Sequence, residues 1–268
     1  MKNTLVILLV AVACVYSYGQ RVEAGIFTGM SVYSGDLSPK VISRYTQFMN
    51  PVGGVALRLR GRGVVGARLG FNYTHLEGDD ARSAHPGRQL SFRTQLLEAS
   101  ALAEWHLIPD NFLGDEPAVT PYLFTGLTVF HFNPVTELDG YTIELQPVGT
   151  EGQGLEGYEP PYERTQLAIP YGIGLRIKLN RKSSLSVELS GRKLFTDYLD
   201  DVSGEYAGTT GNPAADLLAD RSGEVGDPIG FDGKQRGDKL SNDMFLFVGL
   251  SLSYTIIQTK CPKISGIP

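Results

Sequence analysis

Apolar and polar residues alternate strictly over residues 165–179. Every second position from Leu167 to Leu179 is Leu, Ile or Tyr, and the positions between them are Ala, Pro, Gly, Arg or Lys. A period of two places successive side chains on opposite faces, so this stretch predicts a β-strand with one apolar face. At ~3.3 Å per residue the alternation covers about 43 Å, whereas strands are usually about five or six residues long. A tilted strand of this length can cross the ~30 Å hydrocarbon layer of a membrane.

Seven other segments alternate in the same way, which gives eight predicted strands. They span residues 22–33, 52–60, 64–75, 89–107, 120–132, 165–179, 184–196 and 243–257. The fifth segment is apolar on both faces, so its orientation stays open. Lys193 interrupts the apolar face of the seventh, which we interpret as a bulge near the strand end. A closed antiparallel barrel with both chain ends on one side requires an even number of strands.

The connections between these strands differ in length. Residues 61–63 and 180–183 form tight turns, and residues 108–119 form an intermediate one; the other connections, 34–51, 76–88, 133–164 and 198–242, are long. Outer-membrane barrels have short periplasmic turns and long external loops. The pattern therefore predicts an all-β fold, an eight-stranded antiparallel transmembrane barrel of the outer membrane.

The N-terminus predicts export. Lys2 precedes an apolar stretch, and Ser17 to Gly19 form a small-x-small cleavage site, so residues 1–19 are expected to be a secretory signal peptide. A lipoprotein signal ending at Cys14 is the alternative. The barrel would then occupy residues 20–257, and residues 258–268 would form a periplasmic C-terminal tail. If Cys14 is removed with the signal, Cys261 is the only cysteine left.

Charged residues on the predicted strands share a face with glycines and serines. On a lipid-facing surface Arg or Lys costs roughly 2–4 kcal/mol at mid-bilayer, so this face is expected to line the lumen. An eight-stranded barrel is narrow enough for side chains to fill it. The mixed signs therefore predict a salt-bridged plug and not an open pore. A soluble lipocalin-type barrel, with an apolar lumen and a polar exterior, is the alternative. The charged residues are Arg58, Arg68, Glu98, Glu104, Arg176, Glu188 and Arg192.

Composition and motifs exclude several function classes. A net charge of −5 without a basic patch argues against nucleic-acid binding. The four histidines lack metal-ligand spacing, and no serine lies in a nucleophile-elbow context. We therefore expect no enzyme, no cofactor, no resident metal and no small-molecule substrate. One alternative stays open, because carboxylates at the predicted external strand ends could bind calcium. They are Asp79, Asp80, Asp197, Asp200 and Asp201.

Two segments are candidates for interaction with a partner. One is the acidic start of the last external loop, and the other is the tail beyond the barrel. The candidate residues are Asp197, Tyr198, Asp200, Asp201, Lys260, Cys261 and Lys263.

Several motifs along the chain together resemble a Bacteroidetes family of outer-membrane barrels, formerly of unknown function, that includes PorG of the type IX secretion system. The resemblance implies a non-enzymatic barrel among outer-membrane lipids, which associates with a periplasmic ring formed by a lipoprotein and its partner. The segment Thr196-Asp197-Tyr198-Leu199-Asp200-Asp201-Val202 is its most specific part. The others are Val32-Tyr33-Ser34-Gly35-Asp36-Leu37, Gln89-Leu90-Ser91-Phe92-Arg93, Glu144-Leu145-Gln146-Pro147, Gly149-Thr150-Glu151-Gly152-Gln153-Gly154, Arg192-Lys193 with Phe195, and Lys260-Cys261-Pro262-Lys263.

Three hypotheses follow. The leading one is a structural component of a secretion apparatus that anchors periplasmic ring proteins. The second is a surface-exposed binding or adhesin barrel that acts through its long loops. The third is a barrel enzyme that uses Asp or His residues at the external rim, such as His75, His131, Asp200 and Asp201.

Overall fold

The computed structural model describes residues 21–39, 46–61, 63–82, 85, 87–109 and 119–258. The predicted signal peptide and the tail residues Lys260, Cys261 and Lys263 lie outside this part of the chain. Among the described residues, no helix combines the length and the apolar composition needed to cross a membrane.

Nine antiparallel strands make up the sheet, in the order β4-β3-β2-β1-β9-β8-β7-β5-β6. Pairing of β4 with β5 closes the sheet into a barrel of eight strands, which confirms the predicted fold class. The strand β6 extends only the end of β5. The strands are β1 (Arg21–Ser34), β2 (Asn50–Arg60), β3 (Val65–Asp79), β4 (Ser91–His106), β5 (Val119–Leu138), β6 (Tyr141–Glu144), β7 (Thr165–Lys178), β8 (Ser183–Leu194) and β9 (Met244–Gln258).

We call the end of the barrel where Arg21 pairs with Gln258 the turn end, because the tight connections lie there. The opposite end, where Ser34 pairs with Met244, is the loop end. Its longest connection, between β8 and β9, carries the short helix α1 (Pro213–Ala219). Asn212 caps this helix by accepting a hydrogen bond from the backbone N–H of Ala214.

Two sequence predictions about strands need correction. The fifth strand runs on to Leu138 and turns into β6, so the predicted loop 133–164 begins as a hairpin that extends beyond the barrel wall. Lys193 marks no bulge, because β8 pairs through it continuously with Ile169 on one side and Met244 on the other. The irregularity in β1 lies instead between Val22 and Glu23.

The outward face of the barrel is apolar along every wall strand. Leu127 is 65% exposed and Ile173 is 56% exposed, although both are large aliphatic residues. Such exposure is typical of a surface that faces lipid. The ambiguous fifth strand is resolved, since Phe124 and Phe130 point inward and Leu123 and Leu127 point outward. The lipocalin-type alternative is wrong, because the charged residues line the lumen.

Glycines on the inward face of β7 make room for aromatic rings. A Cβ atom at Gly174 would overlap the ring of Tyr122, and one at Gly172 would overlap the ring of Phe124. Tyr122 and Phe124 lie on the neighbouring strand β5 and fold across β7. The alternation of large apolar and small residues in β7 thus reflects lipid on one face and a filled lumen on the other.

Candidate functional site

Four charged side chains form the central layer of the lumen. Arg58 Nη2 lies 2.5 Å from Glu188 Oε1, and Arg58 Nε lies 3.1 Å from Glu104 Oε1. Arg68 Nη1 lies 2.7 Å from Glu188 Oε2, and its Nε lies 3.0 Å from Glu104 Oε1. The hydroxyl of Tyr122 donates a 2.7 Å hydrogen bond to Glu188. Two arginines thus balance two glutamates from four strands, as expected for a salt-bridged plug.

Further ion pairs lie on either side of this central layer. Toward the turn end, Arg176 Nη2 donates to both carboxylate oxygens of Glu23 at 2.8 Å. Lys178 is buried beside this pair, as predicted for residues that face the lumen. Toward the loop end, Arg192 binds Glu98, and its guanidinium lies 3.8 Å from the ring centroid of Phe247.

The lumen between these layers is nearly full. The cavity bordered by Arg68, Glu188 and Arg192 has a volume of about 30 Å³. A water molecule needs roughly 10–15 Å³ of such space, so about two would fit. Paired charges therefore fill the lumen at this level, as expected for a salt-bridged plug.

The loop-end half of the lumen is aromatic. Phe130 stacks on Phe132 at 5.6 Å between ring centroids, and Phe245 meets Phe130 edge-on at 6.0 Å. Leu199 and Val202 from the β8–β9 connection are buried in the same core. The long loops at this end therefore continue the core of the barrel and form a cap over its mouth, which consists of residues 133–164 and 195–243.

Ion pairs and hydrogen bonds inside the cap connect its segments. Arg236 is buried and donates to Glu151 Oε1 at 2.9 Å and to the carbonyl oxygen of Asp201 at 2.6 Å. Asp201 accepts hydrogen bonds from Tyr162 at 2.7 Å and Thr150 at 2.6 Å. Burial raises the pKa of Asp201 to about 6, although Arg236 and both hydroxyls lower it. Asp201 also adopts a φ of 66°, which aspartate tolerates better than most residues.

A second cluster fastens the cap to the barrel rim. The hydroxyl of Tyr33 on β1 lies 2.5 Å from Asp200 Oδ2 and 2.9 Å from Asp243 Oδ1. All three side chains are buried. Burial, reinforced by neighbouring carboxylates, raises the pKa of Asp200 and of Asp243 well above the usual range of aspartate.

Asp197 and Tyr198 lie beside these clusters. Asp197 is 6% exposed, and neither of its carboxylate oxygens accepts a hydrogen bond of ordinary geometry from a described residue. Burial raises its pKa to about 8. The ring of Tyr198 is half-buried and stacks on Tyr162 at 4.8 Å and 9°.

The candidate interaction residues of the acidic loop thus serve mainly as internal contacts of the cap. Asp197, Asp200 and Asp201 are buried, and Tyr198 alone among the four reaches the surface. The calcium alternative gains no support, because the described residues contain no group of three or more acidic, His or Cys side chains arranged to hold a metal ion. Asp80 forms a two-point pair with Arg88 instead, at 2.8 and 2.9 Å.

The histidines lie apart from one another. His106 lies in the lumen, 3.3 Å from Glu104 Oε2, and His131 contacts Thr165 at 3.0 Å on the outer surface. His75 and His131 are on the outward face of the wall, whereas Asp200 and Asp201 are buried beneath the cap, so the rim residues proposed for an enzyme share no common centre.

Sequence reasoning missed several residues that hold the cap. Tyr33, Asp243, Glu151 and Arg236 were not singled out, since the side-chain pairs that they form join residues 85 to 210 positions apart in sequence. A signal existed for two of them, because Tyr33 and Glu151 lie in motifs that carry the family resemblance.

An open groove crosses the outer surface of the cap. It has a volume of about 590 Å³ and is bordered by Tyr158, Tyr198 and Tyr206. Acidic residues dominate its polar lining, with Lys239 as the basic exception among the lining residues. Lys239 Nζ lies 2.6 Å from Glu159 Oε1. The acidic lining residues are Glu151, Glu159, Glu205, Asp232 and Asp238.

Several solved outer-membrane proteins are similar to the chain in structure. Neisserial surface protein A (NspA) matches with a TM-score of 0.45 and 9% identity, over 88% of this chain and 97% of that one. Ail, the attachment invasion locus protein of Yersinia pestis, crystallised in complex with the heparin analogue sucrose octasulfate, matches with a TM-score of 0.41 and 11% identity, over 89% and 99%. OprG from Pseudomonas aeruginosa matches with a TM-score of 0.36 and 10% identity, over 88% and 96%.

Comparison with curated proteins gives no match. Residues 2–209 match DUF6089, described as a domain of unknown function. Since this match covers most of the 268 residues, the chain belongs to the DUF6089 family.

Proposed function

We propose that this protein is a non-enzymatic outer-membrane barrel that anchors periplasmic ring proteins of a secretion apparatus resembling the type IX system. The observation that carries the proposal is the filled interior. Ion pairs occupy the turn-end half, aromatic rings occupy the loop-end half, and the cap covers the mouth. We expect a barrel with a filled interior to bind partners on its surfaces and not to conduct solutes through its lumen.

The resemblance supplies the partner class, a periplasmic ring of a lipoprotein and its partner. The turn end would face the periplasm, because outer-membrane barrels keep their short turns there. The anchor surfaces would be the short turns 61–63 and 180–183, residues 108–119 and the tail 258–268.

Site-specific photocrosslinking in cells tests this proposal. A crosslinking residue at Arg181, which is exposed in the β7–β8 turn, is expected to capture a ring protein. The same residue at Leu240, which is 96% exposed at the loop end, serves as the matched control and is expected to capture none. Deletion of the gene should reduce cargo secretion. Normal secretion together with no ring protein crosslinked at the turn end would refute the anchor.

The groove on the cap favours a second candidate function, a surface-binding barrel. Its size lies within the roughly 300–1,000 Å³ of typical ligand sites. Tyrosine rings and carboxylates together favour ammonium or guanidinium groups, through cation–π and charge-assisted contacts. A basic peptide segment of a partner is therefore the expected ligand class.

The two candidates respond differently to changes in the groove. Glu205→Gln with Asp232→Asn and Asp238→Asn removes exposed charge and leaves the buried clusters intact. Loss of surface binding with unchanged secretion would favour the second candidate. Unchanged binding of a tetra-arginine peptide would argue against it.

A further inference from the structure

The hydroxyl of Tyr33 lies between two carboxyl groups on opposite ends of the same connection. Asp200 stands six residues after β8 ends at Leu194, and Asp243 immediately precedes β9. Tyr33 projects from β1, which pairs with β9 at Phe245. The three side chains thus join both ends of the β8–β9 connection to the rim of the barrel.

If both carboxyl groups were ionised, this cluster would hold one proton too few for its two short contacts. A phenol hydroxyl carries a single proton, but it makes short contacts with two carboxyl oxygens. The other oxygen of each carboxyl group is already an acceptor, from Leu199 N–H to Asp243 at 2.9 Å and from Val202 N–H to Asp200 at 2.9 Å. A second hydrogen bond at Tyr33 therefore requires a proton on one of the two carboxyl groups.

The surroundings of Asp200 and Asp243 favour protonation of one of the two carboxyl groups. Asp200 and Asp243 are 1% and 0% exposed, and neither forms a salt bridge with any of the described residues. The titratable groups facing them include two acids, Asp36 from the β1–β2 connection and Asp197 from the β8–β9 connection. Arg221 and Arg236 border a small cavity beside Asp200, but they form ion pairs with Glu224 and Glu151 instead. Two buried carboxylates that lie close together cannot both ionise without a large electrostatic cost.

The local backbone is shaped around this cluster. A Cβ atom at Gly35 would overlap both Asp243 Oδ1 and the hydroxyl of Tyr33. Glycine at this position allows the chain after β1 to pass directly over the three polar groups and exclude water.

We propose that Asp200 and Asp243 share one proton through Tyr33 and that this protonated clasp holds the cap closed, so that its loss at alkaline pH releases the β8–β9 connection. The name clasp denotes Tyr33, Asp200 and Asp243. Release would expose the aromatic mouth of the barrel and leave the salt-bridged layers below intact.

Asparagine variants test the clasp, because an amide imitates the protonated carboxyl group. In Asp243→Asn the side-chain oxygen can still accept from Leu199 N–H, and the NH₂ group can donate to Tyr33, which then donates to Asp200. The same exchange works for Asp200→Asn with Val202. Asp232→Asn, an exposed change in the same connection, is the matched control.

Hydrogen exchange of the full chain in lipid nanodiscs gives the readout. After correction for intrinsic rates, wild type and Asp232→Asn should lose protection in residues 197–243 about tenfold or more between pH 6 and pH 10. Asp200→Asn and Asp243→Asn should keep the part of this loss that Asp197 causes below about pH 8, and they should change less than about twofold between pH 9 and pH 10, where wild type continues to lose protection. Equal pH dependence in wild type and both clasp variants would overturn the proposal.

An infrared measurement on the unmodified protein removes any dependence on how the variants fold. Wild type at pH 7 should show the carbonyl stretch of a protonated carboxylic acid that resists rapid hydrogen–deuterium exchange. Its titration at high pH should coincide with the loss of protection. Absence of any such protonated carboxyl signal at pH 7 would also refute the clasp.

Discussion

Arg192 and Glu98 form a two-point ion pair where the charged half of the lumen meets the aromatic half. Nε of Arg192 lies 3.1 Å from one carboxylate oxygen of Glu98, and Nη2 lies 2.7 Å from the other. The same carboxylate accepts a 2.6 Å hydrogen bond from Asn72, and the guanidinium lies over the ring of Phe247. Both charges are buried, so each depends on the other to offset its lost hydration.

Removing one partner of this pair should destabilise the barrel. We expect Glu98→Gln to lower the free energy of unfolding by about 3–5 kcal/mol, because Arg192 would remain as an uncompensated buried charge. The double variant Glu98→Gln with Arg192→Met should recover most of that loss. Urea unfolding of the refolded barrel, followed by the fluorescence of Trp105, measures both effects.

Glu205→Gln is the control, since Glu205 is exposed on the cap, and it should change stability by less than about 0.5 kcal/mol. A Glu98→Gln variant as stable as the control would show that the lumen is hydrated and that the pair is screened.

The barrel could be predicted from the sequence because the alternation pattern that produces it is local to each strand. Period-two alternation places Leu175 on lipid and Arg176 in the lumen, and each strand carries this information in its own residues. The end of β5 was missed for the same reason. Residues 135–138 pair with β6 at the end of the barrel wall, where no lipid imposes an apolar face.

The cap could not be predicted, because its contacts join distant segments. Asp200 meets a tyrosine 167 positions earlier, and Arg236 meets Glu151 85 positions earlier. In sequence, Asp197 to Asp201 read as a solvated acidic rim. Asp200 and Asp201 accept hydrogen bonds from Tyr33 and Tyr162, which only the folded chain brings to them.

The filled lumen predicts that shortening the cap leaves the barrel closed to ions. Replacing residues 204–236 with a short Gly-Ser linker removes most of the β8–β9 part of the cap and keeps the layers around Arg58, Glu188 and Arg192. We expect no conductance above the unmodified protein in planar bilayers, because the ion pairs still occupy the lumen. A stable ohmic channel in the shortened protein would contradict the plug.

The apolar outward face predicts that a charged side chain destabilises the barrel more on the wall than on the cap. Leu250 lies midway along β9 and is 45% exposed on the apolar surface. Leu250→Arg should destabilise the barrel in a bilayer by about 2–4 kcal/mol, the usual cost at mid-membrane. Leu240→Arg places the same charge on the cap and should cost less than about 0.5 kcal/mol. Reversible unfolding from liposomes compares the two, and equal costs would contradict a lipid-facing β9.

The buried carboxyl group of Asp197 should give cap stability a pH dependence that is separate from that of the clasp. Burial, together with the nearby carboxylates of Asp36, Glu151 and Asp238, raises its pKa in the folded protein to about 8, although Ser203 lowers it. In the unfolded chain an aspartate has a pKa near ~3.9, so the folded state binds more protons between about pH 4 and pH 8. The stabilisation is therefore complete below about pH 4, decreases as the pH rises, and is lost above about pH 8.

Asp197→Asn should make cap stability less sensitive to pH across this window, because the amide has no charge to bury. Hydrogen exchange of residues 197–243 at pH 5, 7 and 9 measures the slope, and Asp232→Asn provides the exposed control. The variant should be more protected than wild type at pH 9, and this difference should become smaller at pH 7 and smaller again at pH 5. Equal protection at pH 9 would mean that the Asp197 carboxylate ionises without cost, and therefore that water reaches it beneath the cap.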